Sequence, residues 1–280
     1  MTRHAELRGL VVVVTGGARG IGLATAERFA RAGARVALGD RDAELATTAA
    51  ADLAVRTGAR VVAAPLDVTE PASWTAFLAA VADLGPVDVL VNNAGIMPLG
   101  PVLEEPAEVA RRIFDVNLHG VVNGTKAVAP GMVERGHGHV VNVASAVGRV
   151  ALAGGASYSA SKFAVVGFTE ATRAELAPYG VDVAMVLPTV VTTELSAGVP
   201  AARGVKPVSA EDVAAVIERA VRRPTAEQWV PRWSKSLARG ADLMPRRLKA
   251  VTARALRADS ALDHADPAAR AAYEDRVRRS

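Results

Sequence analysis

The 280-residue chain contains no cysteine, which excludes disulfides, thiol nucleophiles and every cysteine metal site and agrees with a reducing compartment. Aromatic residues make up only 4% of it, so the core is not built on large rings. No run approaches the roughly 20 apolar residues of a membrane-spanning helix. The opening MTRHAELRGL has no apolar signal core, and a cytoplasmic protein is the expectation. His137 and His139 in RGHGHVV make a poor metal pair, because alternate residues of a strand point apart and no acidic cluster accompanies them. No metal is expected. The net charge of +4 is uneven: residues 231–280 hold 12 Lys and Arg against 6 Asp and Glu, and the rest is slightly acidic. The basic character belongs to the tail, basic and aromatic residues do not interleave, and nucleic acid is not an expected partner.

What the chain has in quantity is Ala and Val, within a hydrophobic fraction of 50%. Short β-branched runs recur at 10–14, 35–39, 60–64, 87–91, 139–143, 181–186 and 228–230. Between them lie Ala-rich segments of helical length, near 21–32, 42–57, 71–83, 106–135, 157–179 and 210–222. Such alternation predicts right-handed crossovers and a parallel sheet covered on both faces. Near Pro231 the pattern gives way to a helical extension interrupted by Pro245. The division expected is a main domain over 1–232 and a basic amphipathic extension over 233–280.

The first strand runs straight into Thr15-Gly16-Gly17-Ala18-Arg19-Gly20-Ile21-Gly22, and a helical pattern begins at once. Glycines let the backbone turn tightly against a pyrophosphate, and the helix N-terminus offers it free N–H groups. Gly16, Arg19, Gly20, Ile21 and Gly22 are therefore candidate cofactor contacts in a Rossmann-type, doubly wound α/β fold with a seven-stranded parallel sheet. Asp40, closing the second strand, stands where an acidic residue accepts hydrogen bonds from the adenosine ribose, which favours NAD. Arg19 and Arg41 each offer a phosphate a partner, so NADP is the alternative.

Several separated motifs now point one way: TGGARGIG at 15–22, LDV at 66–68, NNAG at 92–95, Asn117 in FDVNLHG, Ser145 in VNVAS, and Tyr158 with Lys162 in YSASK. In order and spacing, with Ser145 lying 13 residues before Tyr158, they resemble the short-chain dehydrogenase/reductase family in its compact single-domain form. The resemblance covers about residues 8–232. Tyr158 and Lys162, four apart, share one helix face, and an adjacent ammonium and a cationic nicotinamide both favour the phenolate. The resemblance implies that Tyr158 exchanges a proton with the substrate oxygen and Ser145 holds that oxygen. It further implies that Lys162 binds the nicotinamide ribose and that Asn117 organises a water chain. It makes Asp67 and Val68 adenine contacts. Asn93 is read as a brace of the central strands, with Ala94 and Gly95 lying close to adenosine. Pro188, Val191 and Thr193 match positions beside the nicotinamide, while Thr189 stands where the family usually has glycine.

Around the expected pocket, Ile96, Met97, Ala153–Ala156 and the segment Glu194–Pro207 are mostly small or apolar, which suits a lipophilic secondary alcohol or ketone such as a sterol, a retinoid-like or a long-chain compound. The extension spaces Leu237, Ala241, Met244, Leu248, Val251 and Ala255 by fours and threes, with Arg239, Arg246, Lys249, Arg254 and Arg257 largely elsewhere. Packing on its own protein or subunit partner is favoured over peripheral contact with an anionic membrane. A homodimer or homotetramer through the long helices is implied by the resemblance. The competing reading is a non-catalytic nucleotide-binding redox sensor, which would not need Ser145, Tyr158 and Lys162 together. A nucleotide-sugar epimerase would need a separate substrate domain for which the chain has no room.

Overall fold

In the computed structural model, residues 6–198 and 206–243, together with Arg270 and Tyr273, are described. Seven strands, β1 (Val11–Thr15), β2 (Arg35–Asp40), β3 (Val61–Pro65), β4 (Val89–Asn92), β5 (Gly138–Val143), β6 (Val181–Pro188) and β7 (Glu227–Val230), form one sheet in the order β3-β2-β1-β4-β5-β6-β7. Every pairing is parallel. The order reverses between β1 and β4, which places a crevice beyond their carboxyl ends.

Two-residue periodicity explains why both faces are covered. In β1, Val12 and Val14 join one cluster with Phe29 and Ala30 of α1 (Gly20–Arg31), Leu53 of α2 (Ala43–Thr57) and Ile217 of α7 (Ala210–Arg222). Val11 and Val13 join the opposite cluster, with Trp74 and Phe77 of α3 (Pro71–Ala80) and Met132 of α5 (Gly120–Arg135). Consecutive valines thus serve opposite layers, which is why the strand reads as an unbroken apolar run. Burying each side chain contributes about 1.5–3 kcal/mol.

The helix expected over 106–135 is two helices, α4 (Ala107–Phe114) and α5, joined by a π-helical turn at Asp115–His119. The cause is local: the wider turn carries Asn117 inward, fully buried, where its amide pairs with a loop backbone. The remaining long helix, α6 (Ala156–Leu176), ends in a 3-10 turn at Ala177–Tyr179 and Gly180 at φ 73°. Beyond β7, α8 (Ser234–Leu243) lays Ala238 beside Trp229. The remainder of the amphipathic stripe, from Met244 to Ala255, lies outside the described residues. No helix among the described residues is long and apolar enough to cross a membrane.

Candidate active site

The turn from β1 into α1 is held open. Gly16 adopts φ 62°, and a Cβ there would lie 3.0 Å from Ala94 Cα; a Cβ on Gly22 would overlap Gly16 O. Both positions require glycine. Helix α1 begins at Arg19 with no side-chain cap and no acid in its first turn. By contrast, Asp42 caps α2 by accepting from Leu45 N–H at 3.2 Å, and Ser209 caps α7 by accepting from Asp212 N–H at 3.1 Å. Helices α3, α4 and α6, like α1, start without a side-chain cap, but the start of α1 lies directly behind the glycine loop, where its free N–H donors and positive dipole make the arrangement that receives a diphosphate. The loop therefore fits a dinucleotide.

Neighbouring segments are fixed around it. Thr15 Oγ1 accepts from the N–H groups of Asn93 (2.9 Å) and Ala94 (3.0 Å), and Asn93 Nδ2 returns a bond to Thr15 O at 2.9 Å. Asn93 is the brace its sequence position implied. Asp40, at the end of β2, accepts from Ala18 N–H (3.0 Å) and Asp42 N–H (3.1 Å), so its carboxylate is aimed by two backbone donors. Both nearby guanidinium groups are already paired: Arg19 with Asp42 (2.6 Å) and Glu194 (3.4 Å), Arg41 with Asp67 (3.3 Å). Burial opposes ionisation of Asp67, but bonds from Thr69 and the charges of Arg41 and Arg112 prevail and hold its carboxyl below the usual range. Val68 is buried. Its carbonyl accepts from Asn123 Nδ2 (3.0 Å) and Trp74 Nε1 (3.3 Å). Asn123 and Trp74 were not singled out in the sequence: Asn123 bonds a backbone 55 residues away, and Trp74 acts through its ring N–H on the turn before its own helix.

Across the crevice, β5 delivers Ser145 and α6 delivers Tyr158 and Lys162. Ser145 caps a short 3-10 turn by accepting from Val147 N–H at 3.3 Å, and it lies within hydrogen-bonding reach of the Tyr158 phenol. Lys162 is buried, donates from Nζ to Val143 O at 3.0 Å, and stands 5.9 Å from the centre of the Tyr158 ring. Burial lowers its pKa to about 8. Burial also pushes the phenol of Tyr158 well above its ordinary value; the bond with Ser145 opposes the rise and the neighbouring Tyr273 adds to it. The lowering expected from the adjacent ammonium is thus absent in the protein alone, because desolvation dominates and Lys162 directs its charge at a carbonyl.

Asn117 joins this group. Its Oδ1 accepts from Ile96 N–H (2.8 Å), and its Nδ2 donates to Ile96 O (2.9 Å) and Ser161 Oγ (3.0 Å). Gly95 fills the gap between: a Cβ there would stand 3.2 Å from Asn117 Oδ1 and 3.6 Å from Lys162 Nζ. After β6, Pro188 O faces Ser145 Oγ at 3.5 Å, and Thr189 N–H donates to Val230 O at 2.9 Å. Threonine is accommodated there because its backbone continues the pairing with β7, although Thr189 Oγ1 is buried without a partner. Val191 bridges to Val208, while Thr193 caps the turn Glu194–Ser196 and lies 3.5 Å from where a Cβ on Gly20 would stand. The candidate residues at or just beyond strand ends, among them Asp40, Asn93, Ser145 and Pro188, therefore border the same carboxyl edge, whereas Ile21 of α1 packs against the core.

A switch-point crevice, an uncapped glycine-loop helix and a serine, tyrosine and lysine facing it define a nucleotide-binding α/β oxidoreductase. The sequence model of the family described as short chain dehydrogenase matches residues 10–204, and the chain belongs to that family, whose members use NAD or NADP. It is 41% identical over 196 residues to a 3-alpha-(or 20-beta)-hydroxysteroid dehydrogenase of Mycobacterium bovis, covering 70% of this chain and 74% of that one. It is 42% identical over 187 residues to a cyclopentanol dehydrogenase of a Comamonas species, covering 66% and 74% respectively. A crystal structure of a short-chain type dehydrogenase/reductase from Mycobacterium marinum superposes with a TM-score of 0.73 at 27% identity, over 80% of this chain and 94% of that one.

Proposed function

We propose that the chain interconverts a lipophilic secondary alcohol and its ketone using NAD, with the chemistry performed within residues 1–232. The observation that carries this reading is the buried Tyr158 phenol, with Ser145 in reach and Lys162 one turn along, on the sheet edge that also holds the uncapped glycine loop. When bound, the dinucleotide supplies or takes the hydride at its nicotinamide ring. Tyr158, kept protonated by burial at neutral pH, donates its proton to the oxygen of a ketone, and Ser145 Oγ donates a second bond that holds the oxygen in place. In the reverse direction the phenolate accepts the alcohol proton. Lys162, still charged at neutral pH, binds the nicotinamide ribose and favours that phenolate. Asn117 spends both amide protons on Ile96 and Ser161, and its Oδ1 retains a second acceptor position for a relay water.

NAD is preferred because Asp40 faces the place of the adenosine ribose while Arg19 and Arg41 are engaged by Asp42, Glu194 and Asp67. A 2′-phosphate would meet a carboxylate rather than a free guanidinium. The substrate's lipophilic character is supported by the buried Met97 beyond β4 and by relatives named for a hydroxysteroid and for cyclopentanol. A homo-oligomer through α5 and α6 is supported by the exposed Phe163 on α6.

Incubating the protein with NAD and a panel of secondary alcohols, then with NADH and the matching ketones, tests the reading by absorbance of the reduced nicotinamide. Turnover of at least one lipophilic pair is expected. Tight dinucleotide binding without turnover of any member would transfer the assignment to a redox sensor.

A further inference from the structure

Two residues far beyond the family match at 10–204 reach into the site. Arg270 and Tyr273 are both helical and three positions apart, so they share a face, and they are 3% and 6% exposed. The Arg270 guanidinium donates from Nη2 to Met97 O at 2.8 Å, and from Nη1 to Ala197 O at 3.3 Å and Leu195 O at 3.5 Å. Met97 follows β4, whereas Leu195 and Ala197 follow β6. One planar fork therefore ties together two segments that leave the carboxyl edge on either side of β5. Tyr273 Oη accepts from Met97 N–H at 2.6 Å, and its ring stacks beneath Arg270 with 5.3 Å between Cζ and ring centre. The same Tyr273 is near enough to Tyr158 to influence its phenol.

These contacts leave little freedom. A buried guanidinium is retained only where its donors find acceptors, and here the acceptors are main-chain carbonyls of the two walls. The phenol of Tyr273 is seated on a fourth main-chain group, the Met97 amide. A bulky aromatic ring is thus anchored on Met97, the residue beyond β4 that borders the expected substrate pocket, with its phenol close enough to Tyr158 to be felt electrostatically.

We propose that Tyr273 is a specificity-determining residue that closes the substrate pocket beside Tyr158, and that Arg270 is the positioning residue that holds it and both walls in place, so that compact cyclic secondary alcohols are accepted and sterol-sized ones excluded. The inference rests on the alcohol–ketone reading above and narrows its substrate class. The walls come from the core, and the closing residues from the basic extension of the same chain.

Full-length wild type, Tyr273→Ala, Tyr273→Phe, Arg270→Ala and Arg270→Lys would be compared on cyclopentanol and on a hydroxysteroid. Wild type should favour cyclopentanol by at least about tenfold in kcat/KM. Tyr273→Ala should raise kcat/KM for the steroid at least about tenfold while raising KM for cyclopentanol, and Tyr273→Phe, which keeps the ring, should retain the preference. Arg270→Ala should move with Tyr273→Ala, mainly through KM. Arg270→Lys should restore only part of the preference, because an ammonium cannot fork to both walls. A wild type that turns over both alcohols equally well, or alanine variants whose preference stays within twofold of wild type, would overturn the proposal. Hydrogen exchange at the Met97 amide separates this failure from failure of the oxidoreductase reading. Even if no alcohol were turned over, that amide should exchange at least about tenfold faster in Tyr273→Ala and in Tyr273→Phe, since both lose its acceptor. Unchanged exchange would remove Tyr273 from the pocket. Should Tyr273→Ala fail to fold, Tyr273→Phe and Arg270→Lys carry both measurements.

Discussion

The two halves of the crevice are built on opposite plans. On the side of β1, β2 and β4, the shape is made by backbone: Gly22 marks a place where a side chain would collide, Gly16 turns at positive φ against Ala94, Gly95 packs tightly beside Asn117, and Thr15 and Asn93 stitch adjacent strand ends together. On the side of β5 and β6, the shape is made by side chains brought from far apart, with Ser145 from a strand end, Tyr158 from a helix, and Arg270 and Tyr273 from the end of the chain. A backbone cradle suits a ligand that never changes, such as a diphosphate. A side-chain lining can be altered without disturbing the sheet, which suits a substrate that differs between relatives.

The comparison breaks most sharply at Tyr158. Replacement by Phe removes one hydroxyl from the side-chain half and nothing from the cradle, so turnover should fall by about a thousandfold while dinucleotide affinity, read by fluorescence titration, changes less than about twofold. A variant keeping more than about a tenth of the wild-type rate would sink the acid/base assignment. Gly22→Val makes the converse change. Its added atoms would overlap Gly16 O, so dinucleotide affinity should fall by about a hundredfold, with loss of thermal stability as the loop moves.

Asp40 sharpens the comparison within the cradle, since it is the side chain there expected to choose between ligands. Asp40→Ser removes the carboxylate facing the ribose, and the ratio of NAD to NADP affinity should drop by about thirtyfold. The loss of the bond from Ala18 N–H should weaken both dinucleotides by a smaller, shared factor. A ratio that does not move would place the adenosine ribose elsewhere.

Legibility in the sequence followed the same division. All seven strands were readable because a parallel sheet turns each strand into an apolar run, and the glycine turn was readable because its residues, 15–22, are consecutive. Ser145, Tyr158 and Lys162 are proposed from their spacing in a resemblance, and the structure brings Tyr158 and Lys162 together on one helix. The π turn at Asp115–His119 was not legible, since nothing in FDVNLHG departs from helical composition; the turn exists to seat Asn117 against Ile96, which no local pattern reports. Tyr273 is 176 residues from Met97, and YEDRVRRS reads as one more charged tail. Periodicity carries information about neighbours along the chain, whereas Arg270 and Tyr273 act through a contact that only folding creates.

The smallest effect expected lies at Lys162, on the seam between the halves. Burial lowers its pKa from 10.5 to about 8, so between those values the unfolded chain binds a proton that the native protein has released. Stability must therefore rise with pH across that window, because the unfolded state holds more protons; below about 8 both states are charged and the cost of the buried ammonium is constant. In Lys162→Met that cost is absent, and the bond to Val143 O is absent at every pH. The stability difference, wild type minus variant, cancels the other titrating groups. It should be flat from pH 6 to about 7 and then increase, reaching on the order of 1 kcal/mol by pH 9, a shift of a few degrees in Tm. Thermal melts of both proteins across that range measure it directly. A difference that stays flat to pH 10.5 would mean that Lys162 keeps its ordinary pKa, and that its charge is compensated by groups other than Val143 O.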